Sequence, residues 1–394
     1  MYFCHMFVSL EMAAPGEFGT AGLLYHSLQA DKTSRVRKNR AMLKRMAVNR
    51  NKTPDPPARR VDPYYFAIVF VPLAIFASHS VISDHLMPAN LNVPADLLQD
   101  GRNWLEAAGR YRFLAATWFF GALSVLAAAV LFRTLLRPTA PATRIAAIVT
   151  FLFVLLLSAL PTLRSFGDTD GSQVYDRLGS AVFEGVMARG TLRGCTTPSD
   201  TWLMGVCGET PVIAMFSGVV DVVNIFAGLA LGSMIVGMIL CLDDRPCKDV
   251  EEKAALLADN LRQMRQQLYL AGIVLTFGML YTTSWIYWPL QLVLETERAA
   301  YSGLLLSAAL YTGTYFSLLI LSFYLPVGFI LDSRVKLLAE RATREDLTGQ
   351  PPDVETWRES RGLTEGVGDY LRAGLALTSP ILAAFAGGIS PLSL

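Results

Sequence analysis

Six stretches of this chain are long, apolar and almost uncharged: residues 64–83, 113–132, 145–163, 211–241, 268–290 and 301–331. That feature constrains the fold more than any other. A helix rises about 1.5 Å per residue, so about 20 apolar residues cross a hydrocarbon core of ~30 Å. Lipid offers no partner for a bare N–H or C=O, so a single spanning segment satisfies its backbone as a helix. The expected fold is all-α: a polytopic helical membrane protein with six transmembrane helices. A further stretch, 373–394, is uncharged but rich in Ala, Gly, Ser and Pro. It is read as an interfacial or protein-packed helix, with a seventh span as the alternative. Composition agrees: 53% of residues are apolar and only 17% charged, against about 25% in soluble domains. Disorder and a disulfide-dense scaffold are thereby excluded.

The net charge of +1 hides an asymmetry. Residues 1–60 carry 11 Lys/Arg against 4 Asp/Glu, mostly between Lys32 and Arg60. Beside a membrane span, such a block reads first as an orientation signal. With this end inside, the inner segments hold 26 Lys/Arg and the outer loops 8. The expectation is a multi-pass protein of the cell inner (plasma) membrane with both termini cytoplasmic; 27 of the 34 basic residues are Arg, a bias of GC-rich bacterial genomes. Residues 1–60 are read as a basic, disordered cytoplasmic segment, of which the first part is alternatively an extension upstream of a start at Met42 or Met46. Residues 61–331 form the six-span domain with an outer loop at 164–210. Residues 332–394 hold cytoplasmic helices and an apolar tail. Tyr64 and Tyr65 stand at an inner boundary and Trp285, Tyr287 and Trp288 at an outer one, where amphipathic rings favour the headgroup layer. Pro72, Pro161, Pro289 and Pro326 predict kinks or helix ends.

Outside the bilayer, Cys195 and Cys207 share the 164–210 loop and are the candidate disulfide pair of an oxidising compartment. Residues 174–189 read as an amphipathic helix. On the inner side, Asp249 and Glu252 form a D-x-x-E helix start. Val250, Ala254, Leu257, Leu261, Met264 and Leu268 then follow at alternating steps of four and three, and Leu331, Val335, Leu338 and Ala342 repeat that pattern after the sixth span. The two seams predict a short antiparallel stalk, coiled-coil-like, with a homo-oligomer contact as the rival use. A second short helix is expected from Asp353 through Arg361.

An ionisable residue inside a span is a functional candidate because its burial is costly. Asp221 is the one acid well inside a run. At 100° per residue Ser217, Asp221, Asn224, Gly228 and Gly232 share one arc of the fourth span. Ser307, Tyr311, Thr314 and Ser322 share an arc of the sixth, and Asp221 and Tyr311 sit at equal depth. The candidate ligand or ion pathway residues are therefore Asp221, Asn224, Ser217, Tyr311 and Thr314, with Thr282 and Thr283 of the fifth span near that level. The competing reading is a purely structural hydrogen-bonded network. His79 and His85 flank the outer end of the first span and read as solvated boundary residues. Asp243 and Asp244 read as a charged membrane boundary, or, less favoured, as half of a metal-phosphate site of a lipid-modifying enzyme.

P-loop, HExxH, G-x-S-x-G, CxxC and dinucleotide signatures are absent. Neither a metal, a cofactor nor a catalytic residue is expected, and a nucleic-acid partner is not; the lipid bilayer is. The leading expectation is a transporter or channel with a polar site between spans four, five and six. The alternative is a non-catalytic sensor, scaffold or effector relaying between the outer loop and the stalk.

Overall fold

The computed structural model describes residues 58–85, 103–164, 201–202, 205–206, 212–288, 290, 293–345, 354–364 and 366–389. The basic block up to residue 57, Cys195, Cys207 and the 174–189 stretch lie outside them. A 3-10 turn, Pro63–Val69, leads into α1, Phe70–His85. Then come α2, Asn103–Leu136, and α3, Pro141–Arg164. Two residue pairs, β1 Thr201–Trp202 and β2 Gly205–Val206, make a minimal antiparallel hairpin. The helices α4, Val212–Ile239, α5, Val250–Tyr287, and α6, Glu295–Glu345, follow. The short α7, Val354–Ser360, and α8, Val367–Ile389, close the described chain.

Among the described residues seven helices are long and apolar enough to cross a membrane: α1 to α6 and α8. The architecture is that of a multi-pass helical membrane protein. Two of the helices are enclosed by the others. In α4 78% of the apolar window is buried and in α5 67%, while the other five range from 17% to 33%. α4 packs chiefly on α2 and α3; α5 packs on α2, α6 and α8. α2 thus joins two helix groups.

Helix–helix attraction in lipid rests on close van der Waals approach, which small residues allow. At Gly228 a Cβ would collide with Ser158 Oγ of α3, and at Gly232 it would stand 3.2 Å from the Phe151 ring. The small-residue stripe of α4 therefore faces α3. A Cβ at Gly272 would lie 2.9 Å from the Ala376 carbonyl oxygen, so the backbones of α5 and α8 nearly touch.

α8 is the main departure from a six-span reading. Arg265 of α5 pairs with Asp369 at 2.7 Å, Gly272 meets Ala376, and Thr283 meets Gly387. Each step along α5 is matched by an equal step along α8, so the helices run side by side in the same direction. Eighteen residues of shared travel amount to about 27 Å of rise, close to a bilayer core. α8 is packed against protein along this length and does not lie across the end of the bundle.

α5 and α6 run well beyond a bilayer's needs. At 38 and 51 residues they reach about 57 and 76 Å. Asp249 caps α5 as expected, its carboxylate accepting the Glu252 amide at 2.7 Å. The α5 seam positions Ala254, Leu257, Leu261, Met264 and Leu268 are buried, as are Leu331 and Val335 of α6, and all belong to one apolar core. Pro326 sits inside α6 without ending it. α7 appears where a short helix was expected and stops at Gly362, whose φ of 65° suits glycine. The amides of Gly362 and Leu363 then cap the carbonyls of Glu359 and Arg358.

The outer-boundary aromatics take a different place from the expected belt. Trp285 and Trp288 are each 1% exposed. They pack on Phe113 of α2 at ring distances of 5.0 and 5.4 Å, Trp285 tilted and Trp288 stacked, filling the α2–α5 contact. Tyr64, by contrast, is 64% exposed.

Gly272→Val should lower stability in detergent by about 1–3 kcal/mol, because backbone cannot yield as a side chain can. Gly303→Ala, which meets nothing within 4 Å, should leave it equal or raise it slightly. Thermal unfolding followed by tryptophan fluorescence checks both.

Candidate functional site

Asp221 is 3% exposed on α4, the most enclosed helix. Its carboxyl is therefore turned into protein and away from lipid, as an ionisable group in a span requires. One turn further, Asn224 lines a cavity of about 100 Å³. Ser158 and Thr162 of α3 and Tyr315 of α6 supply the rest of its polar wall; Phe76 and Phe120 are among its apolar ones. Ser158 donates its hydroxyl to the Val154 carbonyl at 2.8 Å, leaving oxygen lone pairs toward the space. The cavity has room for several waters.

The ring of Tyr315 stacks on His79 at 4.0 Å, and Tyr311 stacks on the same imidazole at 5.2 Å. His79 is 7% exposed. The solvated-boundary reading of this histidine is corrected: α1 packs along the face of α6 that carries the two tyrosines. The half of the bundle away from Asp243 thus holds an imidazole, a carboxyl, an amide and several hydroxyls on four helices.

The predicted residues divide. Asp221 and Asn224 are inward and adjacent. Tyr311 is partly buried, against α1. Thr314 and Ser307 are exposed on α6, with Ser307 bonding to its own helix at the Gly303 carbonyl. Ser217 belongs to α4, with its side chain outside the described set. Thr282 and Thr283 are buried and donate to the Gly278 and Met279 carbonyls of their own helix. Asn224 shares its cavity with Ser158 and Thr162 of α3 and with Tyr315 of α6. Sequence reasoning missed Ser158 and Thr162. Their i, i+4 spacing was the available signal, one hydroxyl face on an otherwise apolar helix.

At the opposite end Asp243 and Asp244 are bound into a charged knot. Asp243, 2% exposed, accepts the Arg60 amide at 2.8 Å and lies 3.8 Å from Arg59 Nε and 3.7 Å from Arg245 Nε. Asn260 donates to its carbonyl at 2.8 Å. Asp244 pairs with Lys253 and, at 3.8 Å, with Arg334. Arg334 also donates to the Leu242 carbonyl and lies over the Tyr65 ring. Residues 59–61 are further stitched to the α2–α3 turn, by Arg59 to Pro138 and Ala140 and by Val61 to the Thr143 hydroxyl. The acidic pair is thus surrounded by the chain's own cations, and no group of three or more His, Cys, Asp or Glu suited to a metal occurs among the described residues. Partial burial works against ionisation of Asp244, but Lys253 and Arg334 outweigh it and hold the carboxyl below its ordinary 3.8. Cys241 and Cys247 near this end are free thiols.

No protein-family model, curated protein or solved structure matches the chain.

Asp243→Ala should cost about 3–5 kcal/mol, since it strands Arg59 and the Arg60 amide beside a buried void. Asp244 behaves as a group with a lowered folded pKa. Its contribution is present above the unfolded value and lost as pH falls through the folded one. Asp244→Asn should therefore be less stable at pH 7 and lose less on acidification below pH ~4 than the unaltered protein, read from melting curves across pH.

Proposed function

We propose that this protein is a membrane transporter or channel whose polar site lies in the outer half of the bundle, bounded by α1, α3, α4 and α6. One observation carries the reading: the buried Asp221 stands one turn from a small, largely apolar cavity whose polar groups are Asn224, Ser158, Thr162 and Tyr315. Burying a carboxyl in a span is costly. A structural network could use hydroxyls and amides alone, whereas an acid beside a wettable cavity can exchange a proton or hold a small cation. The cavity of about 100 Å³ suits a proton or a dehydrated cation with a few waters, not a large solute. His79, stacked on Tyr315 at the cavity wall, gives a second titratable group near the path. The orientation that goes with this reading places the basic face, with Arg59 and the stalk, in the cytoplasm. Seven crossings then bring the end of α8 to the outer side.

Purified protein in liposomes with an imposed pH or cation gradient tests this. Flux above protein-free vesicles is expected, read by a trapped pH dye. Asp221→Asn should cut it at least about tenfold, an energy of roughly 1.4 kcal/mol at the rate-limiting site. Unaltered flux in Asp221→Asn removes the reading.

A second reading has its own support. α5 and α6 leave the membrane without a break and share one core with the stalk, so a tilt of either end is carried to the other. In this view the protein is a relay or scaffold. Inserting one residue after Met264 rotates the stalk by about 100° against the span. A relay loses its downstream response or partner capture on that insertion, while gradient-driven flux survives.

A further inference from the structure

A second cavity, on the stalk side, is unlike the first. It measures about 330 Å³ and opens between the last turns of α2, the stalk part of α5 and the 58–61 segment. Four arginines line it, Arg59, Arg133, Arg137 and Arg262, against one acid, Asp259. Like charges brought together repel, as do Arg133 on the last turn of α2 and Arg137 immediately after it. Here Arg262 lines the same space from α5, so three arginines share one cleft with no ion pair to any of them among the described residues.

The one acid does not neutralise them. Asp259 accepts the Gln263 amide at 2.6 Å, and the same Gln263 takes Arg59 through its carbonyl at 2.7 Å. This amide relay holds Arg59 at the rim and occupies a carboxylate oxygen. The floor is Gly237 of α4, where a Cβ would stand 2.9 Å from the Gln267 carbonyl oxygen. The floor is therefore closed by the Gln267 side-chain amide, whose oxygen lies nearest to Gly237. The position also matters. Arg133 lies within the apolar part of α2, Ala108–Leu136, and Arg137 just beyond it. The cleft thus opens at the end of the apolar part of α2.

We propose that this cleft binds the phosphate of an anionic phospholipid from the leaflet on the stalk side. Forked guanidiniums match the paired oxygens of a phosphate, and the ligand supplies the missing countercharge. The Val130 wall continues into the apolar face of α2, where an acyl chain can follow. Binding ties α2 and α5 to Arg59, and hence to the charged knot around Asp243.

The test uses the full chain in detergent, titrated separately with phosphatidylglycerol, phosphatidylcholine and inorganic pyrophosphate, with binding read from the rise in melting temperature. Phosphatidylglycerol should stabilise and phosphatidylcholine should not. In the Arg133→Gln/Arg137→Gln double variant the phosphatidylglycerol affinity should fall at least about tenfold, and Arg262→Gln should show the same direction. These arginines are exposed, so the variants fold. Arg341→Gln, an exposed stalk arginine of α6 remote from the cleft lining, should bind as the unaltered protein does. Equal phosphatidylglycerol affinity in the double variant and the unaltered protein overturns the site. Pyrophosphate binding that the double variant abolishes, with no response to phosphatidylglycerol, overturns the lipid as ligand and identifies a soluble phosphate compound instead.

Discussion

Close backbone approach between helices is the constraint on which the rest depends. In hydrocarbon, side chains gain nothing by leaving lipid for protein, so helices associate through tight dispersion contact and polar pairing. The contacts of Gly228 with Ser158 and of Gly272 with Ala376 supply the first of these. They decide which face of α4 and α5 is turned inward. Because the small stripe of α4 is pressed on α3, Asp221 and Asn224, on the same arc, are carried into the bundle and not toward lipid.

The two ends of the bundle are secured by different physics. At the stalk end, charges do the work: Arg59, Arg60, Arg245, Lys253 and Arg334 enclose Asp243 and Asp244. Asp243 is buried with its partners, so losing it is costly, while the part-exposed Asp244 pairs are worth less. At the other end, the rings of Phe113, Trp285 and Trp288 pack on one another in stacked, tilted and edge-on contacts. The cavity lined by Asn224 lies between these two clamps. The basic cleft lies next to the charged one, where a countercharge from the membrane would act on the same helices.

Much of the fold was legible because it is local. The six apolar runs appear as α1 to α6, the Asp249 cap starts α5, and the seam from Ala254 to Leu268 is buried as its period requires. Two local signals misled. The Trp285–Trp288 pair has the composition of an interfacial belt, but the α2 contact gives it a better partner in Phe113. His79 stands near the end of a run, a position that reads as wet, yet α1 leans on Tyr311 and Tyr315. For the site, one half was legible: Asp221 and Asn224 share an arc by arithmetic alone. The other half was not, because equal depth of Tyr311 says nothing about whether its helix touches α4.

The sequence alone determined the helices, their membrane character, the asymmetry of charge across them and the presence of one costly acid, since each follows from run length, period and composition within a single segment. The tertiary structure decided which helices are neighbours. It set α3 beside α4, laid α8 along α5 in the same direction, and gathered Arg59, Arg133, Arg137 and Arg262 into one cleft. Those choices rest on shape matching between distant segments, where a glycine on one helix must find the right atom on another, and no local pattern encodes that partner.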